Sequence, residues 1–262
     1  MSEIEKREPG DVALVMPFLR LAMKLYFRSE VRDMNRMPDG GVLIVSNHSG
    51  GLLPMDVPII AVAIAEEFGE DRKLYCLSHD VLFTGPLRAI MPRFGLIPAT
   101  RENAHEVLTS GGATIVFPGG DFDALRPQDK ANVIDFNGRT GYIRTAIEAG
   151  VPILPVVSIG GHEDQFHLTR GEMLARFSPL ARVSERMPYF PVSFGFPFGL
   201  TPAFPMNLPL PTKITTQVLE PVDIGADFGP EPDVAQVDKE IRDRMQDALD
   251  VLASQRRFPV LG

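Results

Sequence analysis

The chain has 262 residues, 44% of them hydrophobic, enough for one sizeable α/β domain with decorations. Its net charge of −8 leaves no basic surplus to neutralise phosphates, which argues against a nucleic-acid binder. A single cysteine, Cys76, excludes an internal disulfide framework and fits a reducing compartment, and no apolar run reaches the roughly 18 to 20 residues that span a bilayer.

The first residues, Ser2 to Glu8, are charged and do not read as a secretory signal. Residues 11–30 predict an amphipathic helix. Leu14, Phe18, Leu21 and Leu25 recur at spacings of three and four, beside a basic edge of Arg20, Lys24 and Arg28. Such a helix either packs on the domain or lies in a membrane interface with its cations among headgroups. Residues 1–38 are therefore read as an N-terminal membrane-associating helix and 39–262 as the main domain.

The apolar run Val42-Leu43-Ile44-Val45 predicts a buried strand that ends in Asn47-His48-Ser49-Gly50-Gly51-Leu52-Leu53-Pro54-Met55-Asp56. A His and an Asp thus share a glycine-containing loop at a strand end, a frequent place for chemistry in α/β proteins. A helix follows from about Val57 to Phe68, then a strand at Leu74 to Leu77, a helix from Leu82 to Met91 and an extended connector, 92–98. Glu102 to Ser110 is helical and stops at Gly111-Gly112. Ala113 to Phe117 is a buried strand ending in Pro118-Gly119-Gly120. Residues 139–149 form a helix closed by Gly150, before a strand from Ile153 to Ser158. Residues 179–211 are dense in Pro, Phe and Gly and show no period: a packed excursion or an apolar surface for lipid. Lys213 to Leu219 alternates as a strand, and Asp233 to Ser254 is a charged amphipathic helix. Alternating strands and helices predict an α/β fold with a mainly parallel central sheet flanked by helices.

Four segments resemble, in order, the motif blocks of the glycerolipid acyltransferases of the lysophosphatidic-acid acyltransferase superfamily, and within it the divergent diacylglycerol-acyltransferase-like branch. The resemblance spans about residues 40–225. The first block is a His followed by an Asp, usually four residues on. Here position 53 is Leu, and the Pro54-Met55-Asp56 ending resembles the longer spacing of the divergent branch, so the roles fall to His48 and Asp56. The second block resembles Gly95-Leu96-Ile97-Pro98-Ala99-Thr100-Arg101, which makes Arg101 the candidate for the acceptor phosphate. The third, usually Phe-Pro-Glu-Gly, is here Phe117-Pro118-Gly119-Gly120-Asp121-Phe122-Asp123, with Gly119 in place of the Glu and Asp123 at the acidic position of the divergent form. The fourth, Val151-Pro152-Ile153-Leu154-Pro155, matches the acyl-wall block, and Arg139 after Phe136-Asn137-Gly138 resembles a phosphate or CoA contact.

The resemblance implies a glycerol-3-phosphate acyltransferase-like fold and acyl transfer from acyl-CoA to a glycerolipid hydroxyl. 1-Acylglycerol-3-phosphate is the first expectation for the acceptor; a diacylglycerol or other neutral alcohol, or a non-catalytic lipid-binding homologue, are alternatives. His48 would act as general base, oriented by Asp56, with no acyl-enzyme. Gly119, Gly120, Asp123, Arg101 and Arg139 would bind substrate, and Gly119 or Gly120 would offer oxyanion donors. The expected setting is the cytoplasmic face of a membrane, peripherally bound, with acyl-CoA as co-substrate and no other cofactor. His162 and His167 flank Glu163-Asp164, but no compact metal spacing such as His-Glu-x-x-His occurs, and no metal is expected. Ser49 lies outside any Gly-x-Ser-x-Gly elbow.

Overall fold

The structure, a computed structural model, describes residues 2–50, 54–177, 189–202, 205, 207–258 and 260–261. The chain runs through α1 (Pro9–Leu21), β1 (Glu30–Arg32), β2 (Val42–Ser46), α2 (Asp56–Phe68), β3 (Leu74–Ser78), α3 (Leu87–Ile90), β4 (Leu96–Pro98), α4 (Arg101–Thr109), β5 (Ala113–Val116) and α5 (Gly120–Ala124). It continues through α6 (Gly141–Ala149), β6 (Ile153–Ile159), β7 (Phe166–Thr169), α7 (Glu172–Phe177), β8 (Val192–Gly195), β9 (Gly199–Pro202), β10 (Thr215–Val218), α8 (Ile224–Phe228) and α9 (Val234–Gln255). Seven strands form the main sheet in the order β1-β10-β6-β2-β5-β3-β4, and β7-β8-β9 form a second one. The main sheet is parallel except where β10 meets β6.

β2 and β6 are buried along their whole length, as near-continuous apolar runs predict for central parallel strands. The period of two divides β2 between two cores. Leu43 and Val45 pack with Phe136, Ile143, Ile241 and Met245, under α6 and α9. Val42 and Ile44 pack with Ile60, Ile64 and Ile115, under α2. Each fully buried Ile or Leu contributes about 1.5–3 kcal/mol by leaving water. Local signals set the helix starts: Thr100 Oγ1 accepts the Asn103 N–H at 3.2 Å and Asp233 Oδ1 accepts the Ala235 N–H at 2.9 Å.

The chain leaves β2 toward β3 and β4 on one side, returns to β5, and passes to β6 on the other side of β2. The connections after β2, β5 and β6 therefore meet at one carboxyl edge, where such a sheet opens a crevice.

Four expectations change in detail. The helix over 11–30 is shorter: α1 continues as a wider i→i+5 turn through Ala22–Tyr26, the chain reverses at Arg28 (φ 43°), and Glu30–Arg32 becomes the edge strand β1. β1 thus joins the same sheet as the strands beyond residue 39. The helix over 82–91 is reduced to α3 between 3-10 turns, since Gly85 adopts φ 55° and Pro86 cannot donate in a helix interior. The connector 92–98 yields β4. Of the Pro/Phe/Gly-rich stretch, residues 179–188, 203, 204 and 206 lie outside the described residues, and the rest contributes β8 and β9.

The basic edge of the N-terminal helix is corrected. Arg20 pairs with Glu70 at 2.9 Å, Lys24 with Glu66 at 2.6 Å, and Arg28 donates to the carbonyls of Pro211 and Val260. These cations dock α1 and the turn after it onto the domain, while Met16, Met23 and Phe27 fill the seam. Leu14, Phe18, Leu21 and Leu25 remain exposed. Among the described residues no helix is long and apolar enough to cross a membrane.

Candidate active site

The loop after β2 is held before any side chain of chemical interest appears. Asn47 splices it to β6 at two points: its Nδ2 donates to Ser158 O and its Oδ1 accepts from Ser158 N–H, both at 2.9 Å. His48 follows, and its backbone N–H donates to Asp123 Oδ2 at 2.7 Å. The imidazole lies flat against the Phe117 ring, centroids 3.9 Å apart and planes within 6°. One face of the ring is thereby fixed.

Asp56, the first residue of α2, is fully buried and comes back to the same loop. Its Oδ1 accepts the Ser49 hydroxyl at 2.6 Å and its Oδ2 accepts the Ser49 N–H at 2.9 Å. Oδ2 also stands 3.7 Å from His48 Nδ1. The eight-residue spacing thus brings the carboxylate to the Nδ1 side of the imidazole, with Nε2 on the opposite side of the ring. The Nδ1–carboxylate separation exceeds a hydrogen bond; such catalytic contacts are commonly long without substrate and tighten with it. Residues 51–53, which include the Leu at the usual Asp position, lie outside the described residues.

The Pro-Gly-Gly turn forms the second wall. A Cβ on Gly119 would stand 2.4 Å from Asp123 Cβ, so the turn closes only over glycine. The Gly120 N–H is spent on Phe117 O at 2.9 Å, which leaves Gly119 as the available donor of the two. Asp123 is fully buried, ion-paired with Arg126 and bonded to the His48 backbone. It positions the loop from beneath instead of facing the crevice. Arg139 arches over the turn, donating to Gly119 O at 2.9 Å and to Asp121 Oδ1 at 3.1 Å, and is half exposed. Arg101 begins α4 and is exposed. It follows β4, three strands from β2, a lateral distance of about 14 Å. The structure therefore gathers His48, Asp56, Asp123, Gly119, Gly120 and Arg139, and sets Arg101 apart on the same edge.

Sequence reasoning weighed the residues behind the loop only as metal ligands. The turn after β6 presses on it so closely that a Cβ on Gly161 would meet Ser49 Oγ at 2.3 Å, and one on Gly50 would meet the His162 backbone at 2.8 Å. His162, Asp164 and His167 are buried there, and neither the Asp164 carboxyl oxygens, nor His162 Nε2, nor either His167 nitrogen has a hydrogen-bond partner among the described residues. Burial drives the pKa values apart. His162 falls to about 3, helped by the positive charge of Arg126; His167 falls to about 4; Asp164 rises to about 9, helped by Asp56. All three are neutral near pH 7. No group of His, Cys, Asp or Glu among the described residues has a metal-binding arrangement. The single thiol, Cys76, is buried and pushed up to about 11, far from a nucleophile's range. The only hint of the polar layer in the sequence was the His-Glu-Asp-x-x-His run at 162–167.

Residues 28–159 match the Acyltransferase family. A Mycobacterium tuberculosis protein of no assigned function is 34% identical over 259 residues, covering 95% of this chain and 68% of its own length. A mouse protein named as a DGAT1/2-independent enzyme synthesizing storage lipids is 28% identical over 190 residues, which cover 72% of this chain but 55% of the mouse protein. Diacylglycerol O-acyltransferase 2 of Dictyostelium discoideum is 27% identical over 58% of this chain and 47% of its own length. Among solved structures, the 1-acyl-sn-glycerophosphate acyltransferase PlsC of Thermotoga maritima shares the fold, with a TM-score of 0.57 at 19% identity over 94% of this chain and 81% of that one. The chain belongs to the Acyltransferase family, similar in sequence to proteins named for storage-lipid and diacylglycerol acyl transfer and in fold to a 1-acyl-sn-glycerophosphate acyltransferase.

Proposed function

We propose that this glycerolipid acyltransferase moves a fatty acyl group from acyl-CoA to a glycerolipid hydroxyl, with His48 as general base and Asp56 as its orienting carboxylate. The observation that carries the reading is the His48–Asp56 pair, with the imidazole pinned between Phe117 and a buried carboxylate at the sheet's carboxyl edge. An alcohol is a poor nucleophile at neutral pH. His48 Nε2 takes its proton as the oxygen attacks the thioester carbonyl, and Asp56 stabilises the imidazolium that forms. The C–O bond forms, the tetrahedral oxyanion collapses, the C–S bond breaks, and the departing thiolate recovers the proton from His48. No side chain is acylated. The Gly119 N–H is the donor we assign to the oxyanion.

Two acceptors fit. The neutral reading, a diacylglycerol, is supported by Gly119 in the place of the family's Glu, by the commitment of Arg126 and Arg139 to protein partners, and by the names of the relatives. The phosphate reading, 1-acylglycerol-3-phosphate, is supported by Arg101 on the same sheet edge. The deciding experiment measures CoA released from palmitoyl-CoA by the purified chain with diacylglycerol, with 1-acylglycerol-3-phosphate, or with neither. Acceptor-dependent release that His48→Ala abolishes supports the reading and identifies the acceptor. Release without an acceptor would make the protein a thioesterase, and full turnover by His48→Ala would overturn the assigned base. We further place the enzyme peripherally at the cytoplasmic face of a membrane, where its acyl substrates partition.

A further inference from the structure

The second sheet is built inside out. Two cross-strand rows cross it. One row is His167–Ser193–Thr201, paired in register, and all three side chains are at most 5% exposed. The opposite row is Phe166–Phe194–Leu200, in which Phe194 is 56% and Leu200 63% exposed. A half-buried antiparallel sheet in water places its apolar row inward and its polar row outward. Here the order is reversed. Asn207 locks the hairpin in this state by donating to Gly199 O at 2.9 Å and to Thr201 Oγ1 at 3.2 Å, from the buried side.

Among the described residues of β8 and β9, the exposed side carries no charge. Phe196, Phe198 and Leu208 continue it beyond the hairpin, with Phe196 and Leu208 bridged. Tyr26 at the end of the N-terminal helix donates to Pro209 O at 2.9 Å, which joins this surface to the exposed Leu25 and Leu21. In the sequence, the 26 residues 187–212 contain no Asp, Glu, Lys or Arg, in a chain that is 23% charged overall. A docking face for a soluble partner carries a polar rim; a face for hydrocarbon has no use for one.

The buried side leads to the chemistry. His167 and His48 are both near enough to His162 to act on its charge. Arg170, just after β7, donates to Phe122 O at 3.0 and 3.2 Å and lies 3.8 Å over the Phe122 ring, mooring the sheet to the turn that carries Gly119.

We infer that the β7–β8–β9 sheet is a lipid-inserted flap: its outer apolar row enters the acyl region of a bilayer, and its inner polar row roofs the polar layer behind His48. The inference rests on the reading of the chain as an enzyme of membrane lipids. It makes insertion apolar and not electrostatic, because the cations of the N-terminal helix are already paired. Contact with zwitterionic lipid is therefore insensitive to salt.

The chain contains no Trp, so Phe194→Trp introduces a sole tryptophan, excited selectively over the tyrosines. With phosphatidylcholine vesicles its emission shifts to the blue and is quenched by brominated acyl chains, at low and high salt alike. Val251→Trp, exposed on α9, shows neither change. The double variant Phe194→Ser/Leu200→Ser partitions about tenfold or more weakly into the vesicles. It keeps its turnover of short-chain, water-soluble substrates. Three results would overturn the flap: no shift at Phe194→Trp while Leu14→Trp responds, which assigns the contact to the helix alone; a concentration-dependent shift without vesicles, which marks an interface between copies; or no response at either position while turnover of soluble substrates persists. In each of these the enzyme reading stands, since that is judged by the His48→Ala comparison.

Discussion

The two sheets of this protein obey the same period of two with opposite results. In the main sheet, alternation sends Leu43 and Val45 to one core and Val42 and Ile44 to the other, so both faces of β2 are dry. In the small sheet, alternation sends His167, Ser193 and Thr201 inward and Phe194 and Leu200 outward. Periodicity tells which residues share a face. It does not tell which face meets water; that depends on what lies beyond each side. The main sheet has helices on both sides. The small sheet has a polar layer on one side and, on the other, nothing from the described chain.

Substitutions sharpen this contrast, and the largest effect lies between the sheets and not within either. His48→Ala is expected to lower acyl transfer by about 100- to 10,000-fold or more, the usual contribution of a positioned acid–base group. Its far-UV circular dichroism and melting temperature should stay close to wild type, because the backbone bonds that hold the loop, His48 N–H to Asp123 and Asn47 to Ser158, do not use the imidazole. Retained kcat would reject the role.

The next effect compares equal deletions in the two sheets. Ile44→Ala removes a fully buried side chain from a central strand and should cost about 2–5 kcal/mol in urea denaturation. Phe194→Ala removes a larger side chain from the exposed row and should stay within about 0.5 kcal/mol in water. A loss at Phe194 comparable to that at Ile44 would mean that the outer row packs against the protein after all.

The third concerns pH and the buried polar layer. His162 and His167 have depressed pKa values of about 3 and 4 in the fold, against 6.5 when unfolded. Unfolding therefore takes up protons below about pH 6.5, and their contribution to stability is lost as the pH falls from there toward 4. Asp164 has a raised pKa of about 9 against 3.8 when unfolded. Unfolding releases its proton, and stability falls as the pH rises through that window. The two trends cross near pH 6.5, where these three groups together place the optimum. Asp164→Asn, which keeps the shape and cannot ionise, should gain on the wild type in melting temperature between pH 6.5 and 8.5. A constant difference across that range would contradict a neutral Asp164.

The smallest effect is on the N-terminal helix. Charge reversal at Arg20 or Lys24 breaks half-exposed pairs with Glu70 and Glu66 and should cost no more than about 1 kcal/mol of stability. It should leave binding to anionic vesicles nearly unchanged. Weakened binding there would restore the electrostatic role that the sequence suggested for this edge.

Much of the architecture was legible in the chain. The runs at 42–45, 113–117 and 153–158 are strands because apolar, β-branched residues in a row have nowhere to go but a sheet covered on both sides. The helix ends fell near Gly150 and Asp233, where the chain carries its own stop and start signals. His48 stood out because the first motif block of the resemblance falls on it, at the end of a buried strand. Its partner was legible at unusual spacing because Asp56 was the first carboxylate available, and the structure shows why eight residues suffice: the helix that Asp56 opens turns back onto the loop. What stayed hidden was everything made between distant segments. Asp123 reads as the acid of a substrate-binding block, yet it holds the His48 N–H, 75 residues away. The basic edge at Arg20 and Lys24 reads as free charge until α2 supplies Glu66 and Glu70.

By itself, then, the sequence determined most of the strands and helices, the family and the candidate histidine, because those rest on short-range pattern and on residue chemistry. Only the tertiary structure decided which charges are spent, which acids clamp the backbone, and which side of the Phe-rich hairpin points away from the protein. Each of these depends on the neighbour across space. A charge, a carboxyl or an apolar face has no fixed meaning until the medium on its other side is known.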